Sequence, residues 1–324
     1  MKQLLRYLTG LFFLSTIGLG FKTVSAQTDS TRLFDPNDPV NVYDPANPPE
    51  QPPFGQVGKW VKTNRLSWNT SSFKCYIYKG IPFRLKYPKN YDTTKTYPLY
   101  LFFHGRGEYG QTIYDNEYQL ALGGQAHGGA VDNGKFNGFL LYPQNQVGPW
   151  TTAQEIIIDS LIENILIPQA KVDPFRIYLN GLSAGGTAAW GFFFRFTKLI
   201  SAFTPISAAS NTFIDSVKKY KFTPIWHFQG GLDNNPTPGT SRYLGSLILL
   251  NGGNYQYTEF PDRGHDCWNQ AWALAGYFPF YNAAYKSNPW PSGGRTEFCP
   301  GDAVVDTLGV TPGFDGYEWM KDGT

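Results

Sequence analysis

Between residues 59 and 287 the chain alternates short apolar runs with polar, glycine- and proline-rich stretches. Cys75-Tyr76-Ile77-Tyr78 and Phe83-Arg84-Leu85-Lys86-Tyr87 flank Gly80, which predicts an early antiparallel pair of strands. Leu101-Phe102-Phe103, residues 138–143, Arg176-Ile177-Tyr178-Leu179-Asn180 and Pro224-Ile225-Trp226-His227-Phe228 are short and largely apolar. That is the pattern of strands covered on both faces. Residues 255–260 instead alternate as a half-covered strand does, and residues 155–166 carry apolar side chains at helical spacing. Residues 243–250 read as another helix. Strand and helix signals taking turns predict an α/β domain, with a mostly parallel sheet flanked by helices.

The ends of the chain break this rhythm. Met1-Lys2 and Arg6 precede the interrupted apolar run from Leu8 to Ile17, and Val24-Ser25-Ala26 supplies small residues before Gln27. Residues 1–26 are thus expected to be a secretory signal peptide, too short and too broken for a membrane span. Residues 27–58 are polar and proline-rich, which predicts an extended tether. Pro289-Trp290-Pro291-Ser292-Gly293-Gly294 marks a linker over residues 288–295, after which residues 296–324 change character again.

Charge and cysteine content narrow the classes. A net charge of +2 without a basic cluster argues against nucleic-acid or anionic-surface partners. Three cysteines permit a disulfide after export, with Cys75–Cys267 one candidate pairing and Cys299 left over. No histidine or cysteine spacing suggests a metal, and no cofactor is expected.

The chemistry concentrates in Gly181-Leu182-Ser183-Ala184-Gly185-Gly186. With 35 glycines in the chain, a bare G-x-S-x-G arises by chance in about one such chain in four. Its context makes it specific: a buried strand precedes it, and the small run Thr187-Ala188-Ala189-Trp190 follows as a helix packed closely on a sheet would. A serine on such a strand–turn–helix stands exposed above the sheet, at the positive end of the helix.

Partners for it follow along the chain. Asp233 comes just after the strand at 224–228, where open α/β sheets place their sites. His265 lies in Pro261-Asp262-Arg263-Gly264-His265-Asp266, past the strand at 255–260. A serine hydroxyl must pass its proton to an imidazole to act as a nucleophile, and a carboxylate fixes that imidazole's tautomer. Of the other histidines, His127 falls in a glycine-rich loop, His227 inside a strand, and His104 is placed to brace a turn. Asp262 and Asp266 flank His265 too closely and read as loop or helix caps.

A second motif, Leu101-Phe102-Phe103-His104-Gly105-Arg106-Gly107-Glu108-Tyr109-Gly110, ends a strand in a glycine-rich turn. The backbone N–H of Arg106, with that of Ala184, is the candidate pair of oxyanion donors. Trp150, after Gln144-Asn145-Gln146-Val147-Gly148-Pro149, is the candidate for an acyl or alcohol pocket.

Together these motifs resemble the α/β-hydrolase superfamily. They are most similar to its secreted esterases: polyhydroxybutyrate-depolymerase-like, feruloyl and acetylxylan esterases. The resemblance rests on residues 97–110, 172–186, 230–233 and 264–266. It implies Ser183 as nucleophile, His265 as base, Asp233 as orienting acid, and an oxyanion hole at Arg106 and Ala184. The stretch Asn234-Asn235-Pro236 departs from the relatives' apolar pair before a proline. Residues 296–324 in turn resemble the opening of an immunoglobulin-like β-sandwich, far short of the ~100 residues such a module needs.

The expected function is that of a secreted serine hydrolase acting on carboxylic esters, with carbohydrate-linked and polyester substrates as candidates. A peptidase related to prolyl oligopeptidase is the nearest alternative, although no repeat of propeller length precedes the core. A non-catalytic binding protein on the same fold is the second.

Overall fold

The computed structural model describes residues 33–146, 148–209, 221–312 and 316–320. The expected signal peptide lies outside them. Nine strands form the main sheet: β1 (Val57–Lys59), β2 (Phe73–Tyr78), β3 (Ile81–Lys86), β4 (Tyr97–Phe103), β5 (Phe139–Pro143), β6 (Val172–Leu182), β7 (Ala202–Ile206), β8 (Ile225–Gly230) and β9 (Tyr255–Phe260). Their order is β9-β8-β7-β6-β4-β5-β3-β2-β1. From β5 to β9 all neighbours are parallel, and β1, β2 and β3 join antiparallel at one edge.

Alternate residues of the central strands feed two cores. Leu99, Leu101, Phe103, Ile177 and Leu179 point to one face. Tyr100, Phe102, Tyr178 and Leu182 point to the other. Helices α2 (Thr152–Leu161), α3 (Ser183–Arg195) and α4 (Pro238–Leu250) cover the first face through Ile158, Trp190, Leu244 and Ile248. Helices α1 (Gly124–Asp132), α5 (Trp268–Ala273) and α6 (Tyr277–Asn282) cover the second through Val131, Trp272 and Tyr281. Burial on both sides is why β4, β5, β7 and β8 are apolar almost throughout.

The helix read at 155–166 begins earlier and continues further. Thr151 accepts from the Gln154 N–H, and the Gln154 side chain accepts from the Thr151 N–H, so a reciprocal cap starts α2. A π-turn at Ile162–Leu166 leads into Ile167–Ala170, and Lys171, at φ +62°, ends the run. His127, read as lying in a glycine-rich loop, is fully buried in helix α1.

Other expectations are corrected. The described part of the tether is fastened to the domain. Phe34 is 1% exposed and packs on Tyr76. Asp38 accepts from the Tyr76 hydroxyl at 2.7 Å and pairs with Lys59 at 2.8 Å. Asn41–Val42 also pairs parallel with Val61–Lys62, a strand too short and too polar to read from the sequence. Cys75, Cys267 and Cys299 are all free. Cys75 packs with Trp60 and Ile77 and Cys267 with the core beneath α5, so the pairing of these two does not form. In the tail, Trp290–Pro291 pairs antiparallel with Leu308–Gly309, and the Trp290 indole donates to the Gly252 carbonyl at 2.8 Å. Among the described residues no helix is long and apolar enough to cross a membrane.

Candidate active site

The order of strands determines where chemistry can gather. From β4 the chain runs outward to β5, then crosses back to β6 on the other side of β4. The carboxyl ends of β4 and β6 therefore open a crevice at the point where the direction of winding reverses, the place where open α/β sheets bind ligands. Phe103 and Gly181 are in register, so the His104-Gly105-Arg106 turn emerges beside the serine turn.

Ser183 takes φ +54° between extended Leu182 and the first turn of α3. A left-handed serine costs on the order of 1 kcal/mol or more, and packing enforces it. A Cβ on Gly185 would overlap the carbonyl oxygens of Phe103 and His104, so the helix approaches β4 this closely only with glycine there. The Ala184 N–H belongs to that first turn, whose donors have no partner within the helix.

Asp233 and His265 come from two loops that are zipped together. The Gly231 N–H donates to Phe260 O and the Leu232 N–H to Arg263 O, both at 2.8 Å. The two backbones touch where Gly230 faces Gly264, and a Cβ on Gly230 would overlap the Gly264 carbonyl. The Ser207 hydroxyl donates to the His265 carbonyl at 2.6 Å, fixing the histidine's backbone from a third element.

The three side chains meet. His265 Nδ1 lies 2.8 Å from Asp233 Oδ2, and His265 Nε2 lies 2.7 Å from Ser183 Oγ. The carboxylate only accepts, so Nδ1 carries the proton and Nε2 is left to accept from the serine hydroxyl. Asp233 is 2% exposed in its side chain and His265 is 39% exposed. The acid is thus enclosed while the imidazole faces the crevice. Two further contacts hold the carboxylate, and a third orients one of them. Gln229 Nε2 donates to Oδ2 at 2.8 Å, the Asn235 N–H donates to Oδ1 at 2.9 Å, and Ser241 Oγ donates to Gln229 Oε1 at 2.8 Å, which turns the amide.

A cavity of about 270 Å³ lies over the serine, lined by Arg106, Ser183, Ala184, Thr187, Asn235 and His265 among others. Arg106 and Ala184 thus border the same space. Asp262 and Asp266 are exposed, and Asp233 is the acid in contact with His265.

The remaining histidines are structural. Burial lowers His104 to about 4 and His127 and His227 to about 3, so all three stay neutral. His104 Nδ1 bonds to the Gly105 carbonyl at 2.8 Å, and Nε2 accepts from the Asn145 N–H at 3.0 Å. This tie fixes the turn that carries Arg106.

Trp150 is corrected. It is 9% exposed, packs against Phe103 and His104, and donates its indole N–H to the His104 carbonyl at 3.2 Å. It braces the turn from behind, because its amphipathic ring finds an acceptor in the core. Sequence reading missed Gln229, Ser207 and the Asn235 amide. The one available signal was a polar glutamine inside the apolar run of β8.

No family model matches this chain, and no curated protein does. Among solved structures it is similar to a thermostable esterase at 25% identity and a TM-score of 0.56, covering 63% of this chain and 59% of that one. It also aligns with a ferulic acid esterase (16% identity, 62% and 91% covered, TM-score 0.47). An acylaminoacyl peptidase of Pyrococcus horikoshii aligns at 14% identity, with 68% and 41% covered and a TM-score of 0.49. The chain spans 59% of the length of the thermostable esterase. The fold is that of the α/β-hydrolases.

Proposed function

We propose that the protein is a serine hydrolase that cleaves carboxylic esters. The observation that carries this reading is the continuous relay from Ser183 Oγ through His265 to Asp233, at 2.7 and 2.8 Å. Ser183 attacks the ester carbonyl while His265 Nε2 takes its proton. The oxyanion is held by the Arg106 and Ala184 N–H groups, each worth about 3 kcal/mol of barrier. His265 then protonates the departing alcohol, and water deprotonated by the same imidazole hydrolyses the acyl-enzyme. Asp233 keeps the proton on Nδ1 and stabilises the imidazolium. The likeness to a thermostable esterase supports ester over amide cleavage. Export through residues 1–26, and esters on plant polysaccharide or polyester as substrates, complete the proposal.

The test is a panel of aryl, acetylated, feruloylated and polyester substrates beside aminoacyl amides, with Ser183→Ala as control. Wild type should turn over esters and label with a fluorophosphonate, and Ser183→Ala should do neither. Ester turnover surviving in purified Ser183→Ala, or a preference for amides, would overturn the reading.

A further inference from the structure

One buried acid takes no part in the relay. Glu108 ends the 3-10 turn Arg106–Glu108 that follows β4, and it is 6% exposed. Its Oε2 has no hydrogen-bond partner among the described residues. Enclosing a carboxyl this way is costly, so its surroundings call for an explanation.

Those surroundings are the back of the oxyanion turn. Glu108 Oε2 lies 3.0 Å from the point where a Cβ on Gly105 would stand. Leu182, the residue before Ser183, lies against the same point, with Cδ1 at 2.8 Å and its carbonyl oxygen at 3.6 Å. The Gly105–Arg106 peptide therefore starts from a residue packed against both the acid's carboxyl and the base of the serine turn. That peptide carries the Arg106 N–H. The acid's own backbone is fixed as well, since Gln144 Nε2 donates to the Glu108 carbonyl at 2.8 Å and the Tyr109 N–H reaches Arg106 O at 3.4 Å.

We propose that Glu108 is a positioning residue of the hydrolysis: its carboxyl, packed with Leu182 against Gly105, sets the direction of the Arg106 N–H toward the oxyanion. This rests on the serine-hydrolase reading above. The carboxyl also faces the backbone N–H groups of Gly105 and of Glu108 itself, which favour its ionised form, while burial outweighs them and raises its pKa. A polar acceptor of this shape is what the site requires, because an apolar group of equal size takes the acceptor away from the Gly105 N–H, whereas the Glu108 N–H keeps the Gly105 carbonyl at 3.4 Å.

The experiment compares wild type with Glu108→Met, which keeps the volume without the acceptor, and Glu108→Gln, which keeps an acceptor. Rates are measured on p-nitrophenyl acetate per site titrated with a fluorophosphonate, and melting is followed in parallel. Misdirecting one oxyanion donor should lower kcat of Glu108→Met about 10- to 100-fold with KM within about twofold, since the donor acts on the transition state. Glu108→Gln should return kcat to within about threefold of wild type. If Glu108→Met does not fold, Glu108→Asp, which withdraws the carboxyl by one methylene, must show the same split. A wild-type enzyme that is active while kcat per titrated site stays unchanged in Glu108→Met overturns the positioning role alone. So does an equal loss in Glu108→Met and Glu108→Gln. A wild type inert to both ester and fluorophosphonate overturns the hydrolase reading and this inference with it.

Discussion

Replacing Asp233 with asparagine tests the relay with almost no change of shape. All three groups around this carboxylate are donors: His265 Nδ1–H and Gln229 Nε2–H on Oδ2, and the Asn235 N–H on Oδ1. An asparagine must turn its NH₂ toward one side or the other. On the first side it confronts both Gln229 and His265, and on the second it confronts a fixed backbone N–H. In the first arrangement the conflict with the imidazole is relieved when His265 changes tautomer, so that Nδ1 accepts and Nε2 carries the proton, and only the one with Gln229 remains. Nε2 then donates to Ser183 Oγ and has no lone pair to take the serine's proton. A wrong tautomer of this kind costs about 10⁴ in kcat, or about 5 kcal/mol of barrier. The assay is kcat for an aryl ester per titrated serine, with circular dichroism confirming the fold. A loss below about tenfold in folded Asp233→Asn would refute the reasoning, because the carboxylate would then not be setting the tautomer.

Two further outcomes follow from packing and burial. Gly185→Ala drives a methyl into two main-chain carbonyls that cannot both retreat. It should cost at least about 3 kcal/mol, seen as a fall of roughly 6–12 °C in Tm, and an unchanged Tm would contradict the close approach. Acid should destabilise the protein well above the carboxylate range. His104, His127 and His227 have folded pKa values of about 4, 3 and 3, below the ordinary histidine value. The unfolded chain therefore takes up these protons first, and stability present above pH 6.5 is lost as the pH falls toward 4. Each histidine contributes about 1.4 kcal/mol per pH unit in that window. Urea midpoints at pH 7, 6 and 5 read this directly, and a flat profile would mean that the three rings are not held neutral.

The sheet and the serine turn were legible because both are local. A strand covered on both faces tends to be apolar along its whole length, as β4 is and as β8 is but for His227 and Gln229. The tightness of the turn around Ser183 demands small residues at fixed offsets, and the helix signal after it needs no distant contact. The chain order of Ser183, Asp233 and His265 after successive strands was likewise readable, since parallel strands bring their carboxyl ends to one edge. Helix α1 was not legible. Its run of glycine and polar residues has poor intrinsic propensity, and burial of His127, Ala130 and Val131 against the sheet decides it.

The amino-acid sequence alone picked out Ser183, Asp233 and His265 and placed each just past a strand of one sheet. Only the tertiary structure decided who supports them. Gln229 is one polar side chain in an apolar strand, and its task depends on Asp233 and Ser241 arriving from elsewhere. Ser207 acts on His265 across 58 residues. Trp150, read from its loop as a candidate for the acyl or alcohol pocket, is turned inward, where His104 offers its indole an acceptor behind the turn. The physical reason is common to all three. A backbone pattern follows from near neighbours along the chain, whereas the direction of a buried polar group follows from whichever partner packing sets beside it.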